Sequence, residues 1–158
     1  MFASLFPWLH AAHILFAALW FGAAAFITFY LAPAMRQLGP AGGDSMLRAL
    51  HRRGMHRFMG ATAGLTVLSG LGLFWLIGAG AGAVIALGAG AGLLAAILGG
   101  AVIGRGFKRV DALLAQPEDM HGREAGIAAA HRRIAVASRC VLALMALALL
   151  AMTLGHAF

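Results

Sequence analysis

The chain has 158 residues, is 62% hydrophobic and only 11% charged, and carries a formal net charge of +7, with a mean hydropathy of +0.89. Soluble domains are about 45–50% apolar and about 25% charged, so this composition excludes a soluble globular domain and describes a membrane protein. The positive charge flanks apolar runs instead of forming a soluble basic face, which excludes a nucleic-acid binder.

Four stretches are long enough to cross a bilayer, which takes about 20 mostly apolar residues: 8–35, 58–77, 84–103 and 141–157. The expected fold is all-α, a polytopic four-helix bundle forming one transmembrane domain over residues 1–158. The first stretch lacks a basic n-region and outruns the roughly 7–15 residues of a signal-peptide core, so it reads as a retained helix. It contains WLHAAHILFAALWFG at 8–22, an apolar run holding His10 and His13.

After the first span, GPAGG at 39–43 reads as a helix breaker, with Asp44 or Ser45 capping a new helix through Leu47 and Leu50. The second span carries Thr62, Thr66 and Ser69 on one face, residue types that bond back to their own backbone or across helices. A GAGAG turn at 78–82 leads into a glycine-rich third span. Gly88 and Gly92, then Gly100 and Gly104, form small-xxx-small pairs that admit a neighbouring helix, in the bundle, in a homodimer or in a membrane partner. The same ridge would also leave room for a flat cofactor such as a porphyrin. Helix 3 is expected to continue past the membrane to Gln116, where Pro117 stops it, and a new helix then enters the membrane near Arg139.

All twelve Lys and Arg residues fall between spans 1 and 2 or between spans 3 and 4. Short loops rich in Lys and Arg stay cytoplasmic, which predicts N-out/C-out orientation, helices extended on the cytoplasmic side, and a multi-pass protein of a bacterial inner membrane. Both termini are then extracytoplasmic. The arginines also meet anionic lipid headgroups, at about 1 kcal/mol each.

Depth places the histidines. His13 precedes Arg36 by 23 residues, about 35 Å at about 1.5 Å per residue, so it lies one turn inside the outer surface with His10 above it. His156, 17 residues beyond Arg139, rises about 25 Å on the same measure and reaches a similar level. His10, His13 and Trp20 share one face of helix 1, and Met145, Leu149, Met152 and His156 make a stripe on helix 4. If those faces meet, His10, His13, Met152 and His156 gather at the outer end. The plainer alternatives are solvated interfacial imidazoles and methionine used as a gap filler. His51, His56 and His131 sit among arginines and read as solvated, as does His121 in a loop. The lone Cys140 has no intrachain partner to pair with.

His13 followed seven positions later by Trp20, then Phe21 and Gly22, resembles the H-x6-W pattern in the first span of the copper-resistance D (CopD-like) membrane proteins and the HemJ-type protoporphyrinogen oxidases. YLAPAMRQLG, the arginine pair before the second span and LTVLSGLGLFW within it are similar to bacterial integral membrane proteins of that group. The similarity covers most of the first 76 residues. It implies a first-span histidine that binds haem b or handles copper, and only His13 stands at that position, with Trp20 completing the pattern. The HemJ-type proteins also carry a lysine in the third span; residues 84–103 contain none, a departure that argues against porphyrinogen oxidation.

Three expectations follow. The first is a haem b protein with a redox or electron-transfer role, a membrane oxidoreductase if it is an enzyme. His13 is then one axial ligand, His156 or Met152 the other, and Gly88 and Gly92 make room for the ring. The second is copper held by His10, His13, Met152 and His156. The third is a cofactor-free scaffold docking through the glycine ridge. A hydrolase is disfavoured, because all five acidic residues lie in the cytoplasmic segments.

Overall fold

The structure, a computed structural model, describes residues 5–77, 82–117 and 122–155. The described residues form helices and no strands. The first span is α1 (Leu5–Phe26), a π-helical segment (Ile27–Leu31) and α2 (Ala32–Gln37). Next come α3 (Gly39–Arg52), α4 (Met55–Ile77) and α5 (Ala83–Leu98), then a second π-helical segment (Gly99–Gly104), α6 (Arg105–Leu114) and α7 (Arg123–Leu154). Four continuous helical stretches are long and apolar enough to cross a membrane: Leu5–Gln37, Met55–Ile77, Ala83–Leu114 and Arg123–Leu154. The protein is an all-α, multi-pass membrane bundle. As expected, helix 3 runs on beyond the apolar core and ends just before Pro117, and the fourth helix starts well ahead of Arg139. The turn at 78–81, His121 and His156 lie outside the described residues.

The π turns have local causes. Pro33 has no N–H, and its ring would press on the carbonyl of Phe29 in a regular α-helix. The chain widens just before it, and the Ala32 N–H bonds to the carbonyl of Ile27. The second π segment, GGAVIG, is rich in glycine, which holds the α geometry least firmly.

One expectation is corrected. Residues 39–43 do not break the chain into a loop; α3 already begins at Gly39, with Pro at its first turn, where a missing N–H costs nothing. The break is confined to Gly39 itself, at φ +70°, a conformation that suits glycine. Gly43 then passes so close to α2 that an added Cβ would stand 2.8 Å from the Met35 carbonyl oxygen. The glycines thus fold α3 back onto α2.

Side chains are buried inside and greasy outside, the pattern of a bundle in lipid. Trp8 and Trp75 are 78% and 73% exposed. The bundle consists of two hairpins: α1 packs chiefly on α4, and α5 on α7. They are joined by a core cluster of Trp20, Ala24, Ala95, Val141, Leu142 and Met145, so the first and fourth spans do touch. A second cluster, Val110, Ala130 and Ile134, fastens α6 to α7 beyond the apolar core. Arg123 locks that extension: its Nε donates to the Leu113 carbonyl at 2.9 Å and its Nη2 to that of Leu114 at 3.3 Å, adding charged donors at the carbonyl end of α6.

Candidate functional site

His13 is buried, at 9% exposure, and is held by the second span. Its Nδ1 lies 2.9 Å from the carbonyl oxygen of Thr66 and 3.2 Å from Ser69 Oγ. The Ser69 hydroxyl donates to the Leu65 carbonyl at 2.6 Å, with Thr66 O 3.1 Å away. A carbonyl only accepts, so the proton sits on Nδ1, shared between Thr66 O and Ser69 Oγ. In the neutral ring Nε2 then carries the lone pair. The imidazole packs against Gly70, where an added Cβ would come 2.9 Å from Cε1.

The other expected site residues are distributed around the same end. His10 meets the Phe6 ring at a tilt, centroids 5.7 Å apart. Trp20 and Met145 share the central cluster; seven residues further along each of these antiparallel helices bring His13 and Met152 to one depth, about 10 Å higher at about 1.5 Å per residue. Their neighbours differ. His13 bonds to α4, whereas Met152 lies against Gly88 of α5: a Cβ there would meet Ala151 Cβ at 3.1 Å, the Ala148 carbonyl at 3.2 Å and Met152 Cγ at 3.3 Å. At Gly92 the neighbour is Ala148 Cβ at 3.9 Å. The Gly88 and Gly92 ridge is therefore filled by α7. No group of three or more His, Cys, Asp or Glu able to hold a metal occurs among the described residues.

The second glycine pair behaves differently. An added Cβ at Gly99 or Gly100 would meet nothing within 4 Å, and one at Gly104 only the Gly99 carbonyl at 3.8 Å. α7 passes this segment, but no atom of it comes within 4 Å of a Cβ placed at these glycines, contrary to the close packing expected of Gly100 and Gly104. They border a cavity of about 1550 Å³, above the usual 300–1,000 Å³ or so of ligand pockets.

All four spans wall this cavity, and both π segments contribute: Ile27, Thr28 and Leu31 from one, Gly99, Gly100 and Ile103 from the other. π turns inside α-helices concentrate at functional sites, and here each displaces its helix at the cavity wall. Trp20 and Ala24, both buried, form part of its wall. Thr28 and Ser138 bring hydroxyls to an otherwise apolar interior. The mouth is polar, with Arg36, Arg48, Arg123 and Arg139, His51, His56 and His131, and one carboxylate, Glu124.

His51 is not merely solvated. Its side chain is 21% exposed, meets Phe107 edge-on at 5.4 Å and His56 at 5.8 Å, and brings Nδ1 within 3.9 Å of Asp111 Oδ2. It ties α3 to α6 across the mouth. Of the described residues singled out for cofactor binding, Trp20 lines the cavity and His10, His13, Gly88, Gly92 and Met152 do not. The signals that sequence reasoning passed over were Pro33 inside an apolar run and the paired glycines 99 and 100.

The chain matches no family model, no curated protein and no solved structure.

Proposed function

We propose that this integral membrane protein holds a hydrophobic small molecule in the cavity between its two helical hairpins. The observation that carries the reading is the cavity itself, about 1550 Å³ with walls from all four spans and both π segments. The space lies between the hairpins, partly open to the surface of the bundle and lined largely by apolar side chains, a shape that admits a hydrophobic ligand from the surrounding bilayer. On the distribution of Lys and Arg, its basic mouth opens to the cytoplasm of a bacterial inner membrane.

Trp20 reports the occupant, since it is buried and lines the cavity. With Trp8 and Trp75 replaced by Phe, a brominated alkyl amphiphile added to protein in unbrominated maltoside micelles quenches Trp20 saturably. Gly100→Phe, which fills open space, abolishes that quenching while the helical circular dichroism is kept. Quenching unchanged by Gly100→Phe contradicts the reading.

A second reading is haem b, or alternatively copper, ligated by His13. The orientation of the ring favours it: an Nδ1–H fixed on a backbone carbonyl is the outer-shell arrangement that directs Nε2 to a metal. Purified protein then shows a Soret band that shifts on dithionite reduction, or bound copper, and His13→Ala loses it. Absence of both from protein purified out of its native membrane overturns this reading.

A further inference from the structure

We propose that the occupant of the cavity is an anionic lipid of the surrounding bilayer, its acidic headgroup held at the mouth and its chains lying inside. The inference rests on the cavity reading above and specifies the ligand. Two observations carry it.

The first is charge. Four guanidinium groups line the mouth against the single carboxylate of Glu124. Among the described residues no carboxylate lies within salt-bridge distance of Arg36, Arg48 or Arg139, which face the opening. Guanidinium forks match the planar, bidentate oxygens of phosphate and carboxylate. Arg123 is already engaged by the Leu113 and Leu114 carbonyls, which leaves the other three for the ligand.

The second is where the walls open. Leu68 of α4 and Leu93 and Ile97 of α5 line the cavity with exposed side chains, and the cavity is partly open to the surface of the bundle. Gly60 and Gly64 border the same space, and a Cβ at either would touch nothing within 4 Å. One end of the cavity therefore meets acyl chains and the other meets the headgroup layer. A soluble anion would have no use for the apolar length, and a neutral lipid none for the arginines.

The test uses the single-tryptophan protein in neutral maltoside micelles, titrated with dibromostearoyl phosphatidylglycerol or with phosphatidylcholine bearing the same chains. Half-quenching of Trp20 is expected at least fivefold lower in the anionic lipid. Each of Arg36→Gln, Arg48→Gln and Arg139→Gln reduces that preference, by up to about fivefold, the equivalent of about 1 kcal/mol per arginine. Arg132→Gln, outside the cavity, keeps it. Raising the salt concentration narrows the preference in the unsubstituted protein, a readout independent of whether a multiple arginine variant folds. Equal quenching by the two lipids overturns the lipid assignment and leaves the cavity reading standing, as does relief of quenching by millimolar inorganic phosphate, which would mean a free anion. Quenching by neither lipid, in protein whose helical signal is intact, overturns the cavity reading itself.

Discussion

The Nδ1 of His13 donates to the carbonyl oxygen of Thr66, 2.9 Å away and 53 residues on in the sequence. This bond joins the first span to the second. Ser69 Oγ shares the same proton at 3.2 Å, so the pairing of α1 with α4 has a polar centre surrounded by apolar contact. In lipid, where apolar side chains gain little by associating, such bonds and close small-residue contacts hold helices together.

His13→Ala removes both contacts and leaves a void over Gly70. The expected loss is about 1–3 kcal/mol, the usual cost of breaking a buried hydrogen bond from one side. Ser69→Ala loses less, about 0.6 kcal/mol, the average for interhelical side-chain bonds in a membrane, because the Thr66 carbonyl keeps its bond to His13. Thermal unfolding in detergent, followed by helical circular dichroism, ranks the two. A His13→Ala protein as stable as the parent refutes the assigned role of the bond.

Much of the architecture was legible in the sequence, and the reason is chemical. Lipid admits only long apolar helices, so the four spans, the helix that ends before Pro117 and the long basic start of α7 follow from composition. The Thr62, Thr66 and Ser69 face was also readable: each hydroxyl bonds back to the carbonyl four residues earlier. The rotation of each helix was not. When both core and surroundings are apolar, a helix carries no strong polar stripe to mark its inner face. The facing of His13 toward α4, instead of helix 4, could not be read for that reason. The cavity was hidden because a π turn shifts the side-chain register within an unbroken apolar run, and because glycine pairs read alike whether a helix covers them, as at Gly88, or nothing does, as at Gly100.

That contrast predicts opposite responses. Gly88→Val puts atoms into Ala148, Ala151 and Met152 and forces α5 from α7, at an expected cost of about 1–3 kcal/mol for overpacking. Gly90→Ala meets nothing within 4 Å and is neutral, or stabilising by up to about 1 kcal/mol from helix propensity. The same melting experiment compares them; equal destabilisation by both would refute the packing described at Gly88.

Arg123 caps α6 from the first residue of α7. Arg123→Ala is expected to cost about 1 kcal/mol, as for a cation on helix-end carbonyls, and to speed hydrogen exchange at residues 110–116. Arg132→Ala and Arg133→Ala, exposed on the same helix, leave that exchange unchanged. Equal exchange in all three variants contradicts the clamp.

Topology is testable with fusions. An alkaline phosphatase joined after Phe158 is active if the C-terminus is extracytoplasmic, as the clustering of all Lys and Arg in two connections predicts. Activity only from a fusion within α3 inverts the orientation and turns the cavity mouth outward.

The most direct test of the central claim is a map of photocrosslinks from a lipid carrying a diazirine on its acyl chain, incorporated in the membrane where the protein resides. Adducts are expected to concentrate on cavity residues such as Met59, Ala63, Ile103 and Val141, at positions that Gly100→Phe removes. Adducts spread evenly over the outward-facing Leu15, Leu71, Leu87 and Leu147, and indifferent to Gly100→Phe, would show that lipid only surrounds the bundle and that the cavity has no such occupant.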